Sequence, residues 1–218
     1  MRPWFIVALL YAVLTLGCAS LVAEPALVRP PRSLPLETLI SNSYTNGVVR
    51  INETVWLRPY NISGESGLPG VRRQLDELGP VSDVAKTRFD GLTAWGLRWG
   101  FNYNDSAGAC SVRTAEIEIE AVITLPELDV GELSDEDGRL WTAYVDQLRA
   151  HEDGHVNIYR AGAQELSNEI TALGEMPSCD ELRLALSALG DAKIERISQA
   201  DLQFDRETGH GAIFPAIN

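Results

Sequence analysis

Leu148-Arg149-Ala150-His151-Glu152-Asp153-Gly154-His155-Val156-Asn157-Ile158-Tyr159 lies at the middle of the stretch that decides the fold. Apolar residues around it recur at helical spacing: Trp141, Tyr144, Val145 and Leu148 before it, Tyr159, Ala163, Leu166, Ile170 and Leu173 after it. Ser134, with Asp137 in the first turn, supplies an N-cap, and Gly174 and Pro177 close the segment. The pattern predicts one helix of about 38 residues, roughly 57 Å long. Gly138, Gly154 and Gly162 are the points where it could bend or break. The stripe has a gap between Leu148 and Tyr159, and His151 and His155 fill it. Both imidazoles are therefore expected to face inward, where the helix meets the rest of the domain.

Two histidines four residues apart project from one helix face, one turn apart. That spacing lets both rings reach a single tetrahedral ion at about 2.0–2.1 Å. Glu152 is offset by about 100°, so it can act as a base beside the ion without ligating it. His151-Glu152-x-x-His155 thus matches the helical device of zinc hydrolysis. The plainer alternative is a pair of buried histidines satisfied by hydrogen bonds, with Glu152 on the surface. Gly154 costs the helix about 1 kcal/mol against alanine. Either it has no role, or a strand or substrate backbone passes close over it.

Zinc needs a third ligand. Ile158 and Ala161 exclude the longer H-E-x-x-H-x-x-G-x-x-H arrangement. The chain has three histidines, and the third, His210, sits in the glycine-flanked run Asp205-Arg206-Glu207-Thr208-Gly209-His210-Gly211. It is the leading candidate. Asp205 and Glu169 are the alternatives, although a straight helix would carry Glu169 about 21 Å from His155. Glu169 could serve only if the chain turned near Gly162.

The first half reads as strands. Val55 to Ile62 is one, ended by Ser63-Gly64. A short helix runs from about Pro69 to Leu78 and stops at Gly79-Pro80. Between 93 and 103, Trp95, Leu97, Trp99, Phe101 and Tyr103 alternate with small and polar residues, which predicts one buried aromatic face. Between 111 and 125, Ile117, Ile119, Ala121 and Ile123 oppose Glu116, Glu118 and Glu120. These carboxylates read as a solvated strand face rather than an acid–base pair. A last helix spans about 180 to 204, and the tail from Asp205 to Asn218 reads as loop. Strands first and helices second give an α+β class: a small antiparallel or mixed sheet packed on a long HExxH helix, zincin-like.

Composition limits the partners. Eighteen basic against 31 acidic residues give a net charge of −13, which argues against nucleic acid and anionic lipid. Residues 1–23 read as a leader: Arg2 precedes an apolar run from Trp4 to Leu16 that is short for a membrane span. Two cleavage readings compete. In one, Leu14-Thr15-Leu16-Gly17-Cys18 is a lipoprotein box and Cys18 carries a lipid anchor; in the other, cleavage follows Ala23. Four prolines make 24–40 an extended linker, and 41–218 forms a single zinc-protease-like domain. Export leaves Cys110 and Cys179 to pair as one disulfide.

Several stretches then fall in a telling order: Tyr60-x-Ile62-x-Gly64, Leu78-Gly79-Pro80, Gly91-x-Thr93-x-Trp95, Trp99-x-Phe101-x-Tyr103, Cys110-x-Val112, Leu125-Pro126, His151-Glu152-x-x-His155 and Phe204-Asp205-x-x-Thr208-x-His210-Gly211. In that order they resemble a bacterial family of unknown function, domain of unknown function 922, described as predicted secreted zinc-dependent proteases. Phe204 departs from the tyrosine usual there. The resemblance implies an exported, periplasmic zinc peptidase with Glu152 as general base and His210 and Cys110 at recurring positions. Its expected partner is a peptide or protein substrate. A non-catalytic zinc-stabilised binding module and an amidase acting on cell-wall peptides are the competing expectations. Tyr144 and Tyr159 read as core rather than catalytic aromatics.

Overall fold

A computed structural model describes residues 37–83, 85–106 and 108–210. The leader, Cys18, the proline-rich stretch up to residue 36 and the tail beyond His210 lie outside the described residues.

Four strands form one mixed sheet in the order β1-β2-β4-β3, comprising β1 (Glu37–Asn46), β2 (Val49–Asn61), β3 (Leu92–Ser106) and β4 (Ala109–Glu127). β1–β2 and β3–β4 are antiparallel hairpins, and the central pair β2–β4 is parallel. Gly47, at φ 59°, makes the tight turn between β1 and β2. Helix α1 (Gly67–Leu78) connects β2 towards β3, and helices α2 (Asp135–Ala172) and α3 (Cys179–Thr208) follow the sheet.

Sheet alternation decides which face the helices cover. Ala115, Ile117, Ile119, Ala121 and Ile123 of β4 are buried, together with Val49, Ile51 and Val55 of β2. Tyr159, Ala163, Leu166 and Ile170 of α2 and Leu182, Leu186 and Ile197 of α3 pack on them. At roughly 25 cal/mol per Å² this apolar burial is the main term holding the layers together. The other sheet face is solvated, as expected: Arg98 pairs with Glu118 and Glu120, and Asn52 donates to Glu116.

Helix α2 has 38 residues, and Ser134 caps it by accepting from the Asp137 N–H. It runs unbroken through Gly138, Gly154 and Gly162. The last glycine makes room for the Ile197 side chain, whose Cδ1 would lie 2.4 Å from a Cβ there. α3 packs antiparallel along α2, as contacts from Gly162–Ile197 to Gly154–Phe204 show. Lys193 is buried between them and bonds Glu165 and Glu169 at 2.8 and 3.0 Å. Glu169 is therefore occupied well away from the histidines, and the turn near Gly162 that would make it a ligand does not occur. Cys110 and Cys179 form a disulfide joining the start of β4 to the start of α3. Among the described residues no helix is long and apolar enough to cross a membrane.

Four expectations change. Residues 37–40, assigned to the linker, belong to edge strand β1, a mostly polar run held by pairing with β2, with Leu39, Ile40 and Tyr44 packed against the core. β2 begins at Val49 rather than Val55. Tyr103 leaves the buried aromatic face, because a register shift between Asn102 and Tyr103 turns the alternation over; it is exposed. α3 runs from Cys179 to Thr208, so Asp205 to Thr208 are helical rather than loop. Gly209, left-handed at φ 59°, is the true C-cap.

Candidate metal centre

His151 and His155 are buried on the face of α2 that meets α3, as the gap in the apolar stripe requires. Their Nε2 atoms lie 3.2 Å apart. Asp205, on the last turns of α3, brings Oδ1 to 3.3 Å from His151 Nε2 and 3.1 Å from His155 Nε2. Three donor atoms thus form a nearly equilateral triangle. Ligands placed tetrahedrally at about 2.0–2.1 Å from zinc would be about 3.3 Å apart. The donor set fits one small divalent cation.

The outer nitrogens are tied off in a way that fixes both tautomers. His155 Nδ1 lies 2.6 Å from Asp201 Oδ1, which can only accept, so Nδ1 carries the hydrogen. Tyr159 donates its hydroxyl to the same oxygen at 2.7 Å and stacks on Trp95. Thr208 has given its hydroxyl hydrogen to the Phe204 carbonyl at 2.7 Å, so at 3.3 Å it accepts from His151 Nδ1. With Nδ1 carrying the hydrogen, each ring in its neutral form presents the Nε2 lone pair to the triangle, and in the metal-free protein a proton held between Nε2 and Asp205 Oδ1 takes that place. Hydrogen-bonded partners of this kind orient and strengthen histidine ligands.

Packing supports the same orientation. The Phe204 ring stacks on His151 at 5.0 Å and meets His155 edge-on at 5.0 Å. Gly154 makes that possible: a Cβ there would fall 2.4 Å from Phe204 Cζ. The close approach over Gly154 is made by an α3 side chain, not by a strand or a substrate.

Glu152 is buried rather than exposed. Thr93 of β3 donates to its Oε2 at 2.7 Å, and Gly91 lies against its Oε1, where a Cβ would come within 2.8 Å. Burial raises its pKa, partly countered by the Thr93 bond and the two histidines. Burial works against a charged His155, yet Asp201 and Asp205 hold its proton and lift the ring to about 10. Burial pushes Asp205 up, but hydrogen bonds from His151 and His155 outweigh it and hold its carboxyl well below the ordinary range.

His210 stands at the rim. It is exposed, in the left-handed region at φ 53°, with Nδ1 3.4 Å from Asp205 Oδ2 and its ring tilted against Phe89 at 5.1 Å. Among the described residues the donors that converge are His151, His155 and Asp205. Reading α3 through to Thr208 would have revealed them, because Asp201, Asp205 and Thr208 sit at i, i+4 and i+7 on one helix face.

No curated protein and no solved structure matches the chain. One family model does, over residues 57–211, a span that takes in the end of β2, strands β3 and β4, all three α-helices and every donor above. The chain therefore belongs to the family described as bacterial protein of unknown function (DUF922).

Proposed function

We propose that this protein is a zinc-dependent hydrolase, most naturally a peptidase, with a zincin-like site on α2. The observation that carries the reading is the triangle of His151 Nε2, His155 Nε2 and Asp205 Oδ1, with edges of 3.1–3.3 Å and both outer ring nitrogens already bonded. His151, His155 and Asp205 would hold the ion. When bound, zinc supplies Lewis acidity, lowering the pKa of a water and stabilising the negative charge that develops on a carbonyl oxygen.

The remaining work falls to the chain. Glu152 takes a proton from the attacking water and hands it to the leaving amine. Its buried setting raises its proton affinity towards working pH, and Thr93 fixes which oxygen stays free. Asp201 and Thr208 keep the rings from rotating. Three protein donors leave a position open for chemistry, whereas a structural zinc would be closed by four. His210, beside Asp205, is the residue that could close it in a non-catalytic module. The reading has the chain exported, released or anchored through Cys18. The disulfide supports an oxidising compartment.

Metal analysis and a panel of casein, short peptides and peptidoglycan test this together. Purified protein should carry one zinc per chain. Glu152→Gln should keep the zinc and lose hydrolysis by at least about a hundredfold. A metal-free wild type, or full hydrolysis by Glu152→Gln, would sink the reading. Cleavage confined to peptidoglycan would favour the amidase.

A further inference from the structure

Asp90 is a heavily engaged carboxylate outside the metal triangle, and the chemistry above does not use it. Arg72 of α1 grips it at both oxygens, Nη1 to Oδ2 at 2.6 Å and Nη2 to Oδ1 at 2.5 Å. Tyr144 of α2 donates its hydroxyl to Oδ2. Tyr60 of β2 donates to the Asp90 carbonyl at 2.7 Å. Three separate elements converge on one residue of a connecting loop. Burial first, and then Asp90 itself, push both tyrosine hydroxyls up in pKa, so they remain donors. Arg72 and Asp90 keep 30% and 22% of their side chains exposed, and an ion pair screened to that extent contributes little net stability, so the cluster points to a need for position.

The neighbours of Asp90 show what is positioned. Gly91, the next residue, forms the wall against Glu152 Oε1. Thr93 holds Glu152 Oε2. Phe89, on the other side, carries the His210 ring. A segment this short cannot absorb movement, since each residue spans at most about 3.6 Å. A shift of Asp90 therefore passes to both oxygens of Glu152.

We infer that Arg72, Tyr60 and Tyr144, acting through Asp90, are positioning residues for Glu152. The cluster sets the orientation of the base while leaving the metal donors alone. Among the described residues, the polar contacts of Arg72, Tyr60 and Tyr144 run to Asp90 and Asp76 and not to His151, His155 or Asp205. This rests on the zinc-hydrolase reading. It adds that the base is aimed from α1 and β2, elements remote from the α2–α3 pair that holds the ion.

Zinc and acetohydroxamate, a small chelator that also hydrogen-bonds to a carboxylate beside the ion, are the probes. Tyr144→Phe and Arg72→Lys should take up zinc like the wild type and bind acetohydroxamate about tenfold more weakly. In a Glu152→Gln background the same substitutions should add no further loss, because the group they position is gone. A general loosening of the fold would weaken binding equally in both backgrounds. That outcome, or wild-type affinity in both variants, overturns the inference while leaving the zinc reading intact. A wild type that takes up no zinc overturns both. If Arg72→Lys fails to fold, the single hydroxyl removed in Tyr144→Phe decides the matter.

Discussion

Gly154 and Phe204 share one volume: a Cβ on residue 154 would lie 2.4 Å from Phe204 Cζ and 2.8 Å from Cε1. The ring cannot slide away cheaply, because it is stacked on His151 and edge-on to His155. On intrinsic propensity alone, Gly154→Ala should stabilise α2 by about 1 kcal/mol. Here it should do the reverse, lowering the melting temperature and weakening zinc binding by about tenfold or more, as the displaced ring turns the imidazoles. Phe204→Leu in the same chain should restore part of both. Thermal unfolding with and without zinc reads the two effects. A Gly154→Ala variant more stable than wild type, with unchanged zinc affinity, would contradict the packing argument.

How much of this was legible in the sequence follows from range. The inward set on β4 and the long α2 helix rest on periods of 2 and 3.6 within one segment, so local residues suffice. β1 carries polar residues on both faces, and its partner strand, not its own pattern, makes it a strand. Asp205 was open to detection, yet a helix stopped at residue 204 separates it from Asp201 and hides their shared face. Glu53 looks like a surface carboxylate but points inward, because its partner Arg160 comes from the far half of the chain. The Asp90 cluster draws on three elements, and no spacing within one of them announces it.

Asp205 and His210 should separate cleanly in metal binding. Asp205 supplies an oxygen to the triangle, whereas His210 lies beside that carboxylate's other oxygen and against the Phe89 ring. Asp205→Asn should lower zinc affinity as severely as His151→Ala. His210→Ala should retain the ion with a loss of about tenfold or less. Competition against a chromophoric chelator measures all three. If His210→Ala is the severe variant and Asp205→Asn the mild one, His210 is the third ligand.

The metal-free protein should show the proton that zinc displaces. His155 is lifted from an ordinary 6.5 to about 10, so its protonated form stabilises the fold. That contribution is complete below 6.5 and is lost as pH rises through about 10. Zinc needs the neutral ring, so between these values each ion bound should release about one proton and apparent affinity should climb with pH. Calorimetry in buffers of different ionisation enthalpy counts the protons. Affinity flat from pH 7 to 9 would mean that Asp201 and Asp205 do not hold a proton on His155.

Glu53 is 3% exposed on the inward face of β2, and both contacts it receives from Arg160, at 2.6 and 3.0 Å, end on one oxygen. Arg160 remains partly exposed at 36%, which screens the pair and trims its net worth. Removing one partner is a different matter from removing both. Arg160→Ala strands a carboxylate in the core and should cost about 2–4 kcal/mol. Glu53→Leu with Arg160→Met removes both charges and keeps the volume, so the double variant should unfold within about 1 kcal/mol of wild type. Urea denaturation gives both numbers. Because the pair lies where α2 meets β2, and the histidine rings are held by α3, zinc affinity should be unchanged in the double variant. Equal destabilisation by the single and double changes would mean that the ion pair itself, rather than the cost of orphaning Glu53, holds α2 to the sheet.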